Sequence, residues 1–139
     1  MEIPKLLIIP ILAGLTAQVS KVLVEAIRTG SVNLTLLNTY GGMPSSHTAL
    51  VVSLTTVIGL GERLDSAAFA IAFVFSLITI RDAIGFRMYL SEHARILNKL
   101  IADVPAKEKP RFPAQIIERI GHTRTEALMG GLVGLTASL

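Results

Sequence analysis

The chain has 139 residues, 51% hydrophobic and 17% charged, a balance too apolar for a soluble domain of this size, so lipid or a partner must cover the excess. The absence of Cys excludes disulfides and thiolate metal sites, and the net charge of +3 comes from basic residues not interleaved with aromatics, which argues against nucleic acid as a partner. By length, residues 1–139 form a single membrane-embedded domain.

Ile3 to Ile27 is apolar except at Lys5, Pro10, Gln18, Lys21 and Glu25, and is long enough for a bilayer, which needs about 20 residues. A cleaved signal peptide fits poorly, because Lys21 and Glu25 would fall inside or just past the mature start. Next comes Gly41-Gly42-Met43-Pro44-Ser45-Ser46-His47, opening directly onto the apolar stretch Thr48 to Leu60. The glycines permit backbone angles closed to other residues, Pro44 fixes its own φ, and Ser45 or Ser46 can cap the following helix. Such a helix start offers unpaired N–H groups and the positive end of a dipole, which suit an oxyanion, and His47 adds a group that carries a proton near neutral pH.

Gly61 to Asp65 reads as a polar turn. Ser66 to Ile80 is apolar again and reaches Tyr89 and Leu90 only by passing Arg81, Asp82 and Arg87. The last apolar run, Ala127 to Leu139, carries Gly130, Gly131 and Gly134, small residues that let a membrane helix pack closely. The pattern predicts an all-α membrane bundle of about four spans, two of them thin, so that homo-oligomer packing or local bilayer thinning would make up the depth.

Between Arg87 and Arg124 the chain turns basic, with Arg95, Lys99, Lys107, Lys109, Arg111 and Arg119. Ile96, Leu97, Leu100 and Ile101 share one helical face, as do Ile116, Ile117 and Ile120. Two short amphipathic helices in the interface, split by Pro105 to Pro113, fit this pattern. The excess of Lys and Arg puts this loop on the cytoplasmic side, together with the connection from Arg28 to Ser46. In a bacterium the membrane would be the inner one. Lys21, Arg28, the His47 turn, Arg81, Arg87 and His122 then converge at one membrane level. Ionisable groups at that depth mark function by default, although each basic residue could also be an interfacial anchor.

The second helix start is Gly121-His122-Thr123-Arg124-Thr125-Glu126. Thr123 and Glu126 make a capping box, a structural role for Glu126. Glu126 also follows His122 by four residues, within reach to hold an imidazole tautomer. His93, with no partner pattern, reads as surface.

Pro-Ser-x-His, a Lys-x6-Arg pair upstream (Lys21, Arg28), and a later His followed four residues on by an acid resemble the type 2 phosphatidic acid phosphatase superfamily, which includes vanadium-dependent haloperoxidases. The chain is most similar to its small divergent membrane branch, through Gly41 to His47, Asp82-Ala83-Ile84-Gly85-Phe86-Arg87, Leu97-Asn98 and Gly121-His122-Thr123. The resemblance implies an integral membrane phosphatase acting on a lipid phosphate or diphosphate, needing no metal and no cofactor. His122 would be the nucleophile, Glu126 its orienting carboxylate and His47 the general acid. Lys21, Arg28, Ser45, Ser46, Arg81 and Arg87 would hold the phosphate. The chain departs from the family pattern at Thr29 (usually Pro), Ser46 (usually Gly) and Glu126 (usually Asp). Ile116 stands where an Arg precedes the nucleophile by six residues, so Arg87 or Arg81 would have to supply that charge. The alternatives are a non-catalytic phosphate-lipid binding or transport protein, and a metal site of His47, His122, Glu126 and Asp82. A haloperoxidase fits least, because a pocket at lipid level suits diffusing halide and peroxide poorly.

Overall fold

The computed structural model describes residues 3–38 and 41–139, so Thr39 and Tyr40 of the Arg28-to-Ser46 connection lie outside the described residues. Among those described, every regular element is helical: α1 (Ile3–Thr29), α2 (Ser46–Gly61), α3 (Ala67–Arg81), α4 (Arg87–Ala102) and α5 (Arg124–Thr136), with short 3₁₀ turns at Leu34–Asn38 and Lys109–Arg111. Gly30 ends α1 at φ +73°, and its N–H donates to the Ala26 carbonyl at 2.8 Å. Ser45 caps α2 by accepting from the Thr48 N–H, and Ser66 caps α3 by accepting from the Phe69 N–H.

The third span runs further than its hydropathy suggests. α3 and α4 form one unbroken helix, Ala67–Ala102, joined by a π-turn at Asp82–Phe86. The first predicted amphipathic helix is therefore the continuation of the span. The second is not a helix: residues 112–123 are irregular apart from isolated bends. Asn98 explains why, because its side chain donates to the Ile116 carbonyl at 2.8 Å and accepts from the Ile116 N–H at 2.9 Å. Ser91 Oγ accepts from the N–H groups of Ile120 and Gly121, each at 3.2 Å. Backbone groups that a helix would use internally are spent on α4 instead.

Lys5–Thr29 and Ala67–Ala102 are long and apolar enough to cross a membrane, and only 33% and 17% of their most apolar windows is buried. The central helix of a soluble protein would be mostly covered. Here Leu12, Leu15, Val74, Phe75 and Ile78 all stand more than half exposed, as lipid-facing side chains do. At 1.5 Å per residue α2 is about 24 Å long and α5 about 20 Å, so both are thin beside a hydrocarbon core of about 30 Å.

α2 is the hub, packed along α1, α3 and α5. Without a hydrophobic force between helices inside lipid, close backbones and polar pairs must hold them together. Thr55 Oγ1 meets Ser76 Oγ at 2.7 Å, and Ser76 Oγ donates to the Val51 carbonyl at 2.9 Å, fastening α3. A Cβ on Gly130 or Gly134 would collide with the carbonyl of Ser45 or Ala49, so α5 can lie against α2 only with glycine there. The two helices run parallel, with Ser53 Oγ and Ser138 Oγ 2.7 Å apart at the far end. At the near end the Ser45 N–H donates to the Glu126 carbonyl at 2.9 Å. The His122 N–H donates to the Ala83 carbonyl, also at 2.9 Å, which ties the start of α5 to the π-turn.

Candidate functional site

These contacts bring four segments to one level: the later turns of α1, the starts of α2 and α5, and the π-turn of the long helix. His122 is the residue just before the Thr123 cap of α5, anchored by its own backbone and 1% exposed. His47 lies in the first turn of α2. The two rings sit 5.9 Å apart between centroids, inclined by 62°, within the separation that leaves room for a phosphoryl group between them.

His122 Nδ1 stands 3.4 Å from Glu126 Oε2, a contact too long for a well-formed N–H···O bond. Glu126 is bound elsewhere as well. Its Oε2 accepts from the Thr123 N–H at 3.0 Å, and its own N–H donates to Thr123 Oγ1 at 3.2 Å, completing the capping box. Glu126 thus completes the helix cap and stands beside His122 at the same time. Both nitrogens of His122, and Nδ1 of His47, are buried without an aligned hydrogen bond among the described residues. Buried polar atoms are normally satisfied, so three of them on neighbouring rings mark this cluster as the candidate site.

Positive groups surround this pair. Lys21 is 3% exposed, and Glu126 and Arg119 are the charged groups that act on it. Arg87, His122, Lys21 and Asp82 all lie close enough to His47 to act on its charge. Arg87 Nε donates to Asp82 Oδ2 at 2.6 Å across the π-turn, which holds the guanidinium by one edge. Above the helix starts is a hollow of about 190 Å³ lined by Lys21, Arg28, Gly42, Arg119, Thr123 and Glu126. That is the volume of roughly six waters, enough for a phosphate. Gly42, at φ +105°, lets the backbone turn tightly there, beside the stem of Lys21.

The predicted residues divide into three groups. His47, His122, Glu126, Lys21 and Arg87 converge, and Arg28 lines the exposed rim of the hollow. Ser45 is fully buried as the cap of α2, its hydroxyl accepting from the N–H and the hydroxyl of Thr48, while Ser46 lines a groove beside His47. Arg81 is exposed on a different hollow with Ile78, Phe86 and Tyr89. Arg119 is a residue of the candidate site that motif spacing misses. Its guanidinium is 3.7 Å from Glu126 and beside Gly42, although it stands only three residues before His122. Among the described residues no three His, Cys, Asp or Glu side chains are placed to share a metal ion, so His47, His122, Glu126 and Asp82 do not form the donor cage that a metal reading needs.

A helical bundle with lipid-facing spans, carrying a buried His122 beside a half-buried His47 and close to a basic hollow, is an α-helical membrane protein with a polar cluster at one end. The chain belongs to the Divergent PAP2 family, which it matches over residues 4–137. It is 36% identical over 144 aligned positions to the uncharacterized membrane protein YuiD of Bacillus subtilis (strain 168), covering 94% of this chain and 91% of that one. No solved structure matches. The kinship expected from the Gly41-to-His47 and Gly121-to-Thr123 motifs is borne out.

Proposed function

We propose that this protein is an integral membrane phosphatase that hydrolyses a lipid phosphate or diphosphate through a phosphohistidine. The observation that carries the reading is the pair of neighbouring imidazoles, 5.9 Å apart, with Glu126 shared between His122 and a hollow lined by Lys21, Arg28 and Arg119. The lone pair of His122 Nε2 attacks phosphorus while the bond to the leaving oxygen breaks. His47, as imidazolium, gives its proton to that oxygen. Glu126 stabilises the positive charge that builds on the His122 ring, and Lys21, Arg87 and Arg119 stabilise the equatorial oxygens. Water then attacks the phosphohistidine, His47 takes its proton, and the P–N bond breaks to release phosphate. The excess of Lys and Arg in the loop between Arg87 and Arg124 supports a site on the cytoplasmic side.

The test is phosphate release by purified protein from phosphatidate, phosphatidylglycerophosphate and polyprenyl diphosphates, with and without vanadate. Release should be vanadate-sensitive and should fall about 10³-fold or more in His122→Ala. Robust turnover by that variant would end the reading.

A second reading, a phosphate-lipid binding or transport protein, draws on the burial of His122 and the 3.4 Å contact to a carboxylate already engaged in a helix cap. It expects lipid-phosphate binding that survives His122→Ala, with no phosphoenzyme in the parent protein.

A further inference from the structure

Two apolar grooves reach the level of the site from the lipid side. One lies between α1 and α2, about 280 Å³, with Gln18 and His47 at its polar end and Ile11, Gly14, Leu15 and Leu50 along its length. The other, about 540 Å³ and mostly apolar, opens between α3 and α5, with Thr48 and Arg124 as its polar lining and no histidine. Volume alone would favour the second. The assigned chemistry favours the first, because the chain of a lipid phosphate is attached to the leaving oxygen. That oxygen must lie at the general acid, on the side of phosphorus away from His122. His47 is the group that the α1–α2 groove shares with the site.

We propose that the groove between α1 and α2 is the binding site for the hydrocarbon chain of the phosphate ligand, with the phosphate held on the far side of His47. This deepens the preceding assignment and rests on it for the direction of the chain. Three features fit a single aliphatic chain. The lining changes from polar at His47 and Gln18 to apolar at Ile11, about 10 Å further along α1. Leu15 and Leu50 are exposed to the lipid phase, so a chain enters from the side without leaving the bilayer. Gly14 keeps the floor low: a Cβ there would already touch Leu50 at 3.4 Å and the Ser46 carbonyl at 3.6 Å. Because the surrounding lipid is as apolar as the groove, the groove gives registry rather than affinity. It holds the chain where its oxygen meets His47.

The experiment uses the full chain reconstituted in liposomes with two photoreactive probes of identical tail, each bearing a diazirine in the chain. One is an alkyl phosphonate, which cannot be hydrolysed, and the other is the corresponding alcohol. The phosphonate should label peptides containing Ile11 to Leu15 and Leu50 in excess over the alcohol, and excess inorganic phosphate should remove that excess. Leu15→Trp, a change on an exposed helix face, should abolish it. Equal labelling by both probes, labelling concentrated at Ile80, Leu128 or Leu132, or an unchanged pattern in Leu15→Trp overturns the proposal. Phosphate release is measured on the same preparation. Specific labelling without release would sink the phosphatase assignment and leave the groove standing, while release with labelling in the α3–α5 groove does the reverse.

Discussion

The starts of α2 and α5 lie side by side, each with a histidine close to its cap, and they are finished from different sources. α5 is closed by its own segment: Thr123 and Glu126 satisfy one another in a capping box, and His122 sits outside the helix with its backbone bonded to Ala83. α2 borrows: Ser45 caps the Thr48 N–H, but its own N–H is taken by the Glu126 carbonyl of α5. In both helices the next two N–H groups precede the first intrahelical bond, made by Ala49 in one and Ala127 in the other. The difference teaches a dependence. The start of α5 is complete in itself, whereas the start of α2, with His47 in its first turn, is positioned by α5.

Four substitutions, set against three control changes, break or sharpen that contrast. The largest effect is expected from Glu126→Gln, which keeps an acceptor for the Thr123 N–H but removes the charge beside His122. Turnover should fall about 100-fold, while thermal unfolding in detergent shifts by less than about 0.5 kcal/mol. A large loss of stability would make Glu126 a cap alone. Gly130→Ala comes next, because its methyl would meet the Ser45 carbonyl and push the two starts apart, destabilising by about 1–3 kcal/mol. Gly131→Ala, whose methyl finds Thr48 Cγ2 at 3.7 Å, should be nearly silent in the same melt. Arg87→Lys should lower turnover about tenfold, since a lysine cannot hold Asp82 and grip a phosphate with the same planar fork. Arg95→Lys and Arg111→Lys should change it little, and equal behaviour of all three would make Arg87 an interfacial anchor. Apart from these controls, the smallest effect is expected from Ser45→Ala, a loss of about 1 kcal/mol in the melt through the missing cap.

Much of the site is legible in the sequence because it is local. The Gly41-to-His47 turn, the Thr123–Glu126 box and the four-residue step from His122 to Glu126 each follow from spacing along one segment. The rest depends on distant partners. The isoleucines at 116, 117 and 120 satisfy a helical period, and nothing near them shows that Asn98 and Ser91 will claim their backbone. That same fold-back carries Arg119 to Glu126, so its role follows from α4 rather than from its distance to His122. The π-turn is also hidden, since Asp82 to Phe86 has no composition that distinguishes it from the helix on either side.

The unequal lengths of the helices have a consequence for depth. α1 continues for about 12 Å beyond Lys21, whereas α2 begins lower down, where the Ser46 carbonyl lies against Gly14 of α1. The hollow therefore runs along the flank of α1, from buried Lys21 to the rim at Arg28, and does not stand above the end of the helix. Lifting an acyl chain into water costs about 0.8 kcal/mol for each methylene exposed. For the lipid-borne phosphate proposed above, a site on the flank of a spanning helix would spare that extraction, because the headgroup would enter sideways.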